Sequence, residues 1–182
     1  MNFSVEETGI QGLVVVKPKV FRDPRGFFME TFRADSFQAL GLPGHFLQDN
    51  LSKSSKGIVR GLHYQAPPFD QGKLVTAIRG TVLDVVVDIR KSSPTYGESR
   101  SFLLSEEDPC FVFVPSGFAH GFSVLSAIAL FHYKCTQVYD KASEGGVLWN
   151  DPDLNIDWQV DNALVSDKDQ ELPRFKDLVS PF

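Results

Sequence analysis

The chain has 182 residues, 42% of them hydrophobic and 23% charged, with a formal net charge of -5. That length supports one domain with a sizeable core, here 1–182, and no apolar run approaches the roughly 18 residues that a membrane span needs. The acidic balance argues against a general nucleic-acid surface, but it leaves room for a local cluster of Arg and Lys around a small anion.

Residues Met1 to Glu7 show no basic segment followed by an apolar stretch. No secretory signal is therefore read there, and cytoplasmic residence is the expectation. Gly12 to Val20 is a Val-rich strand closed by a turn over Phe21 to Gly26, and Phe27 to Phe32 resumes extended character and carries Glu30. Ala34 to Leu40 predicts a helix, with Asp35 or Ser36 near its start and Gly41 just past its end. Gly44 to Asn50 then leads into a polar segment, Ser52 to Gly57. Gln48 and Asn50 read equally as ligands or as side chains that satisfy a loop backbone.

Ile58 to Gln65 has the composition of a strand, yet it places Arg60 and His63 where a core strand would carry apolar side chains. Lys73 opens the next run. Leu74 to Ile89 reads as a β-hairpin turning at Arg79-Gly80-Thr81, with Leu83, Val85, Val87 and Ile89 alternating with Val82, Asp84, Val86 and Asp88. The second face mixes Val with carboxylates, which predicts Asp84 against a polar cavity and Asp88 in solvent. Arg100 to Leu104, Phe111 to Val114 and Ile128 to Val138 are further strands, the last with Phe131, Tyr133 and Cys135 on one face and His132 and Lys134 on the other. Cys110 and Cys135 sit in apolar runs without metal spacing and read as buried thiols. Many short strands at roughly ten-residue spacing, separated by Gly and Pro turns, predict an antiparallel sandwich or barrel. Lys141 to Trp158 reads as loop wrapped onto the sheet, and 163–182 as a packed C-terminal tail in which Ser166 to Asp169 caps a short helix.

The chemistry is expected around Ile58 to Gln65. An imidazole titrates at about pH 6.5, so His63 can accept a proton near neutrality, and Arg60 and Lys73 favour an anion beside it. One base next to two cations suits proton abstraction beside a carbonyl, because the enolate needs positive charge near its oxygen. The plainer reading of His63 is a partly buried, hydrogen-bonded strand residue. Strict alternation would put Arg60 and His63 on opposite faces, so a shared site requires an irregularity. Gly61 is the residue type that tolerates one.

Gly61-Leu62-His63-Tyr64-Gln65 and Pro115-Ser116-Gly117-Phe118-Ala119-His120 resemble the two motifs of cupins, small jelly-roll barrels. Metal-binding cupins place a second His where this chain has Gln65, and no Glu occurs between Gln65 and Glu98. A metal is therefore not expected, nor any other cofactor. Over nearly its whole length the chain resembles the dTDP-4-dehydrorhamnose 3,5-epimerases. The residues that carry the resemblance include Asp23-Pro24-Arg25-Gly26-Phe27-Phe28-Met29-Glu30, Gln48-Asp49-Asn50, Val59-Arg60-Gly61-Leu62-His63-Tyr64-Gln65, Gln71-Gly72-Lys73, Tyr133-Lys134 and Trp149-Asn150-Asp151-Pro152.

That resemblance implies an all-β fold, a cupin-type jelly-roll (double-stranded β-helix) with short peripheral helices, and a dTDP-sugar substrate. It implies His63 as the base, Asp169 as its orienting partner, Lys73 as the group that stabilises the enolate, and Tyr133 as the proton donor on the opposite face. It implies Arg60 and His120 at the sugar, and Arg25, Glu30, Gln48, Asp49, Asn50, Glu144 and Lys168 at the nucleotide and diphosphate, with Tyr139 stacking on thymine. Glu144 read by itself could only hold its loop, and Tyr139 could be core. Family members are homodimers whose N-terminal strand crosses to the partner, which implies that Arg25 and Glu30 serve the neighbouring site. Against the double epimerase stand a single-site epimerase, a non-catalytic cupin that binds a nucleotide sugar, and a metal-dependent cupin oxygenase.

Overall fold

The computed structural model describes residues 2–182. Its strands run in chain order as β1 (Phe3–Glu7), β2 (Val14–Pro18), β3 (Phe21–Asp23), β4 (Gly26–Phe28), β5 (Gln48–Ser55), β6 (Val59–Gln65), β7 (Lys73–Arg79), β8 (Thr81–Asp88), β9 (Ser99–Ser105), β10 (Phe111–Val114), β11 (Phe118–Val124), β12 (Ile128–Cys135) and β13 (Glu144–Gly146). Two helices accompany them, α1 (Ala34–Ala39) and α2 (Asp167–Gln170). One sheet has six strands in the order β1-β2-β10-β7-β12-β5, the other five in the order β13-β6-β11-β8-β9. β3 and β4 form a separate hairpin. From β5 to β12 the chain crosses between the two large sheets at nearly every step, which is the winding of a cupin-type jelly roll.

The interior lies between those sheets. Val75, Ala77 and Phe131 from the six-stranded sheet meet Val82, Val86, Phe122 and Val124 from the five-stranded sheet in one buried cluster. Burial of each large side chain there contributes roughly 1.5–3 kcal/mol. Alternation along β8 sends Leu83, Val85 and Val87 the other way, and Ile89 follows them just past its end. On that side they pack against Val147, Leu154 and Trp158, so the segment after β12 covers the outside of the five-stranded sheet. On the six-stranded sheet α1 buries Phe37 against a cluster that includes Phe3, Val16, Leu74 and Phe111. The helix stops where Gly41 adopts φ +75, as the glycine past its end leads one to expect.

Several expectations need correction. The hairpin read over Leu74 to Ile89 does not exist: β7 pairs with β10 and β12, β8 pairs with β11 and β9, and Gly80 turns the chain from one sheet into the other. A crossover and a hairpin both need a tight turn between two apolar runs, so the pattern cannot tell them apart. Asp88 is not in solvent; it is fully buried. Its carboxylate accepts from Arg90 Nη2 at 2.7 Å, Ser93 Oγ at 2.6 Å and Thr95 Oγ1 at 2.7 Å. Burial works against that charge, but the hydrogen bonds outweigh it and bring the carboxyl down to about 2. The polar segment Ser52 to Gly57 contributes its first part to β5, an edge strand paired with β12, where one polar face is tolerated. β1 was not anticipated. Cys110 and Cys135 are free, with Cys135 buried and Cys110 partly so. Among the described residues no helix is long and apolar enough to cross a membrane.

Candidate active site

The site begins with a break in register between β6 and β11. His63 lies opposite His120 and Arg60 opposite Phe122, so three steps on β6 face two on β11. The irregularity expected at Gly61 is present, and it resets the parity so that Arg60 and His63 line one cavity. Gly61 has φ +129, and a Cβ there would sit 2.5 Å from Gly121 Cα. Only glycine permits that approach of the two strands.

The cavity, about 330 Å³, opens between the two sheets. The five-stranded sheet supplies Arg60, His63 and His120; the six-stranded sheet supplies Lys73 from β7 and Tyr133 from β12. His63 and Tyr133 therefore enter from opposing walls. Behind His63 stands Asp169, with Oδ1 2.7 Å from Nε2. Ser166 caps α2 by accepting from the Asp169 amide, and Asp169 Oδ2 accepts from the Gly61 amide at 3.2 Å. Burial opposes the charge on Asp169, but the His63, Gly61 and Ser166 hydrogen bonds prevail and hold it below the ordinary carboxylate range. An ionised Asp169 fixes the Nε2–H tautomer, which leaves Nδ1 as the basic atom.

Tyr133 is pushed up by burial, so its phenol holds its proton at neutral pH. Burial pushes the Lys73 amine down, while Cys135, Asp84 and Glu144 act in the other direction. A buried ammonium in this position is a strong electrostatic partner for an oxyanion.

A second chamber of about 300 Å³ shares His63, Lys73 and Tyr133 with the first and adds Gln48, Asn50, Gln71, Tyr139 and Glu144. Gln48 donates to Asn50 Oδ1 at 3.0 Å and accepts from the Tyr139 amide at 2.7 Å. At the rim Glu144 accepts from the Tyr139 hydroxyl at 2.9 Å and pairs with Lys168 at 2.6 Å. Burial would raise the Glu144 carboxyl, but those two partners keep it below its usual value.

Three expected site residues are elsewhere in the chain. Arg25 is in an ion pair with Asp23 at the β3–β4 turn and is 90% exposed. Glu30 accepts from Asn2 at 2.9 Å and lies 3.9 Å from Arg33. Asp49 points to the outer face, where Lys134 Nζ is 2.8 Å away, because the alternation that turns Gln48 and Asn50 inward turns it outward. Sequence reading passed over Ser52, Phe122 and Phe131, which also line the first cavity. Extending the alternation of Gln48 and Asn50 by two residues, and that of Tyr133 back by two, reaches Ser52 and Phe131. Among the described residues no group of three or more His, Cys, Asp or Glu is placed to hold a metal ion.

An imidazole with its carboxylate on one wall, and a phenol and an amine on the other, give this cupin-fold enzyme a site with the groups that acid–base chemistry beside a carbonyl needs. The chain belongs to the dTDP-4-dehydrorhamnose 3,5-epimerase family, whose model matches residues 7–177. It is 51% identical to the dTDP-4-dehydrorhamnose 3,5-epimerase of Shigella flexneri over 96% of this chain and 97% of that one. A crystal structure of the dTDP-6-deoxy-D-glucose-3,5-epimerase of Legionella pneumophila Philadelphia 1, in complex with dTDP-4-keto-L-rhamnose, matches with TM-score 0.93 and 44% identity, covering 97% of this chain and 94% of that one. The dTDP-4-dehydrorhamnose 3-epimerase of Streptomyces niveus is 42% identical over 90% of this chain and 79% of its own.

Proposed function

We propose that the protein inverts carbons 3 and 5 of dTDP-4-dehydro-6-deoxy-D-glucose and so makes dTDP-4-dehydro-L-rhamnose. The observation that carries the reading is that His63 and Tyr133 line one cavity from facing sheets. His63 takes the proton from the carbon next to the keto group, and the electron pair of the broken C–H bond moves onto the keto oxygen. Lys73 stabilises the resulting enolate, while Asp169 stabilises the imidazolium. Tyr133 then gives its proton to the other face of that carbon. Before the second inversion His63 loses its proton to solvent and the Tyr133 phenolate regains one. Each turn therefore takes a solvent hydrogen into the sugar.

The first cavity takes the ketose ring, with Arg60 and His120 as further contacts. The second leads toward the nucleotide, with Gln48, Asn50, Glu144, Lys168 and Tyr139 at its rim. Arg25 and Glu30 act from the neighbouring subunit of a homodimer. Exposed Phe27, Phe28 and Ile78 beside the β3–β4 hairpin support such a contact. Free Cys110 and Cys135 agree with a reducing cytoplasm.

The test is turnover in deuterated water. Deuterium at both carbons of the product is expected. Deuterium at carbon 3 alone would instead make the protein a single-site enzyme, the reading that the Streptomyces niveus relative keeps open.

A further inference from the structure

Asp84 has no task in the chemistry above, yet it stands next to it. It lies on β8, is fully buried, and places Oδ1 2.6 Å from His120 Nε2. Its other oxygen, Oδ2, is buried without a hydrogen-bond partner in the protein. Since His63 and His120 are direct neighbours across β6 and β11, the site holds two imidazole–carboxylate pairs side by side. They differ in access. The His63 side chain is 30% exposed and draws its carboxylate from the C-terminal helix, whereas His120 is 7% exposed and both its strand and that of Asp84 are central in the sheet.

An unpaired carboxylate oxygen in the interior is costly. Asp88, on the same strand, shows the satisfied alternative, with Arg90, Ser93 and Thr95 taking up its oxygens. What Asp84 does achieve is a fixed proton position. An ionised carboxylate only accepts, so the proton of a neutral His120 sits on Nε2 and Nδ1 is left with a lone pair. Nδ1 has no partner within the protein, and His120 lines the first cavity. Of the charged groups that line the cavity with it, Arg60, Lys73 and Lys168 only donate, so a bare Nδ1 adds an acceptor for the hydroxyl hydrogens that a sugar ring brings.

We propose that Asp84 is a positioning residue: by accepting the Nε2 proton of His120 it turns Nδ1 into the acceptor that recognises a hydroxyl of the sugar ring, separately from proton transfer at carbon. The proposal rests on the nucleotide-sugar reading of the cavity. It makes His120 a reader of the ring's hydroxyl pattern and leaves His63 as the only imidazole that moves protons.

Long-range proton–nitrogen NMR on the intact, nitrogen-15-labelled wild-type protein tests the tautomer without any variant of Asp84, His120→Asn serving only to assign the signals. The expected result is a protonated Nε2 and a bare Nδ1 whose resonance moves with dTDP-glucose, a non-reacting sugar nucleotide, and stays put with dTDP. A proton on Nδ1, or on both nitrogens, overturns the proposal, as does an equal response to dTDP and dTDP-glucose. In Asp84→Asn the amide can donate to Nε2 and force the proton onto Nδ1. The KM for the 4-keto sugar nucleotide should then rise about tenfold, with dTDP affinity unchanged. Equal loss for both ligands in a folded variant overturns the positioning role. Should wild-type protein show no deuterium uptake, the epimerase reading fails while the tautomer and the sugar-dependent shift still decide this one.

Discussion

The two sheets bury their faces to different extents. The five-stranded sheet is covered on both sides, by the barrel interior and by Val147, Leu154 and Trp158 from the segment after β12. The six-stranded sheet is covered inside, and outside only where α1 lies on it. Beyond that helix Leu51 is 61% exposed and Ile78 52%, with Phe28 on the neighbouring hairpin at 66%. The difference separates three kinds of residue. Some face the interior near the cavity mouth, some pack under the C-terminal segment, and some stay exposed on the open outer face.

The sharpest break between these classes should come from the inward-facing pair. His63→Ala and Tyr133→Phe are expected to lower turnover about 10²–10⁴-fold while dTDP affinity, measured by calorimetry, stays near wild type. If either variant kept wild-type turnover at both carbons, its role would be wrong. Asp169→Asn should fall in the same range, because the amide no longer holds His63 in one tautomer or stabilises its charge.

Next comes Asp88, buried at the end of β8 on the side that carries Val82 and Val86. Its folded-state pKa of about 2 lies below the ordinary 3.8, so its stabilising effect is present above pH 3.8 and is lost as the pH falls through 2. The shift corresponds to roughly 2 kcal/mol. Asp88→Ala should cost somewhat more, about 3 kcal/mol, since it takes the partner from a partly buried Arg90 guanidinium and from two hydroxyls. Denaturant melts at pH 7 measure the loss. Unchanged melting would show that the network adds little to the fold.

How much of this was legible beforehand follows the same division. The inward face of β12 was readable because Phe131, Tyr133 and Cys135 obey simple alternation, and the parity conflict between Arg60 and His63 located the bulge at Gly61. Asp88 was misread because alternation with carboxylates looks half-exposed. Nothing in β8 itself announces that Arg90, Ser93 and Thr95 will close over it. The break between β7 and β8 was misread for a different reason: Arg79-Gly80-Thr81 specifies a turn, and only pairing partners far along the chain decide whether it joins one sheet or two. Asp169 stands 106 residues from His63, a separation that no local pattern spans, so its role came from family resemblance alone.

The open outer face supplies the third prediction. Ile78→Asp places a charge in the exposed apolar patch, and if that patch is the contact of the proposed homodimer, light scattering should show a shift toward monomer of about tenfold or more in dissociation constant. Activity should fall with it if Arg25 and Glu30 complete the neighbour's site, and be retained if they do not. A wild-type protein that is already monomeric would remove the crossed-strand arrangement altogether.

The smallest effect is expected at the rim, where the covered and open regions meet. Tyr139 is half exposed and donates to Glu144, which Lys168 holds independently. Tyr139→Phe removes one exposed hydrogen bond and keeps the ring, so dTDP affinity should change less than about threefold. Tyr139→Ala removes the ring as well. If that ring stacks on the base, affinity should fall by about tenfold, in line with the 1–3 kcal/mol that aromatic stacking on a nucleobase contributes. If Tyr139 instead only tethers Glu144, the Phe and Ala variants should behave alike, and the nucleotide would have to be held by Gln48, Asn50 and Lys168 without an aromatic platform.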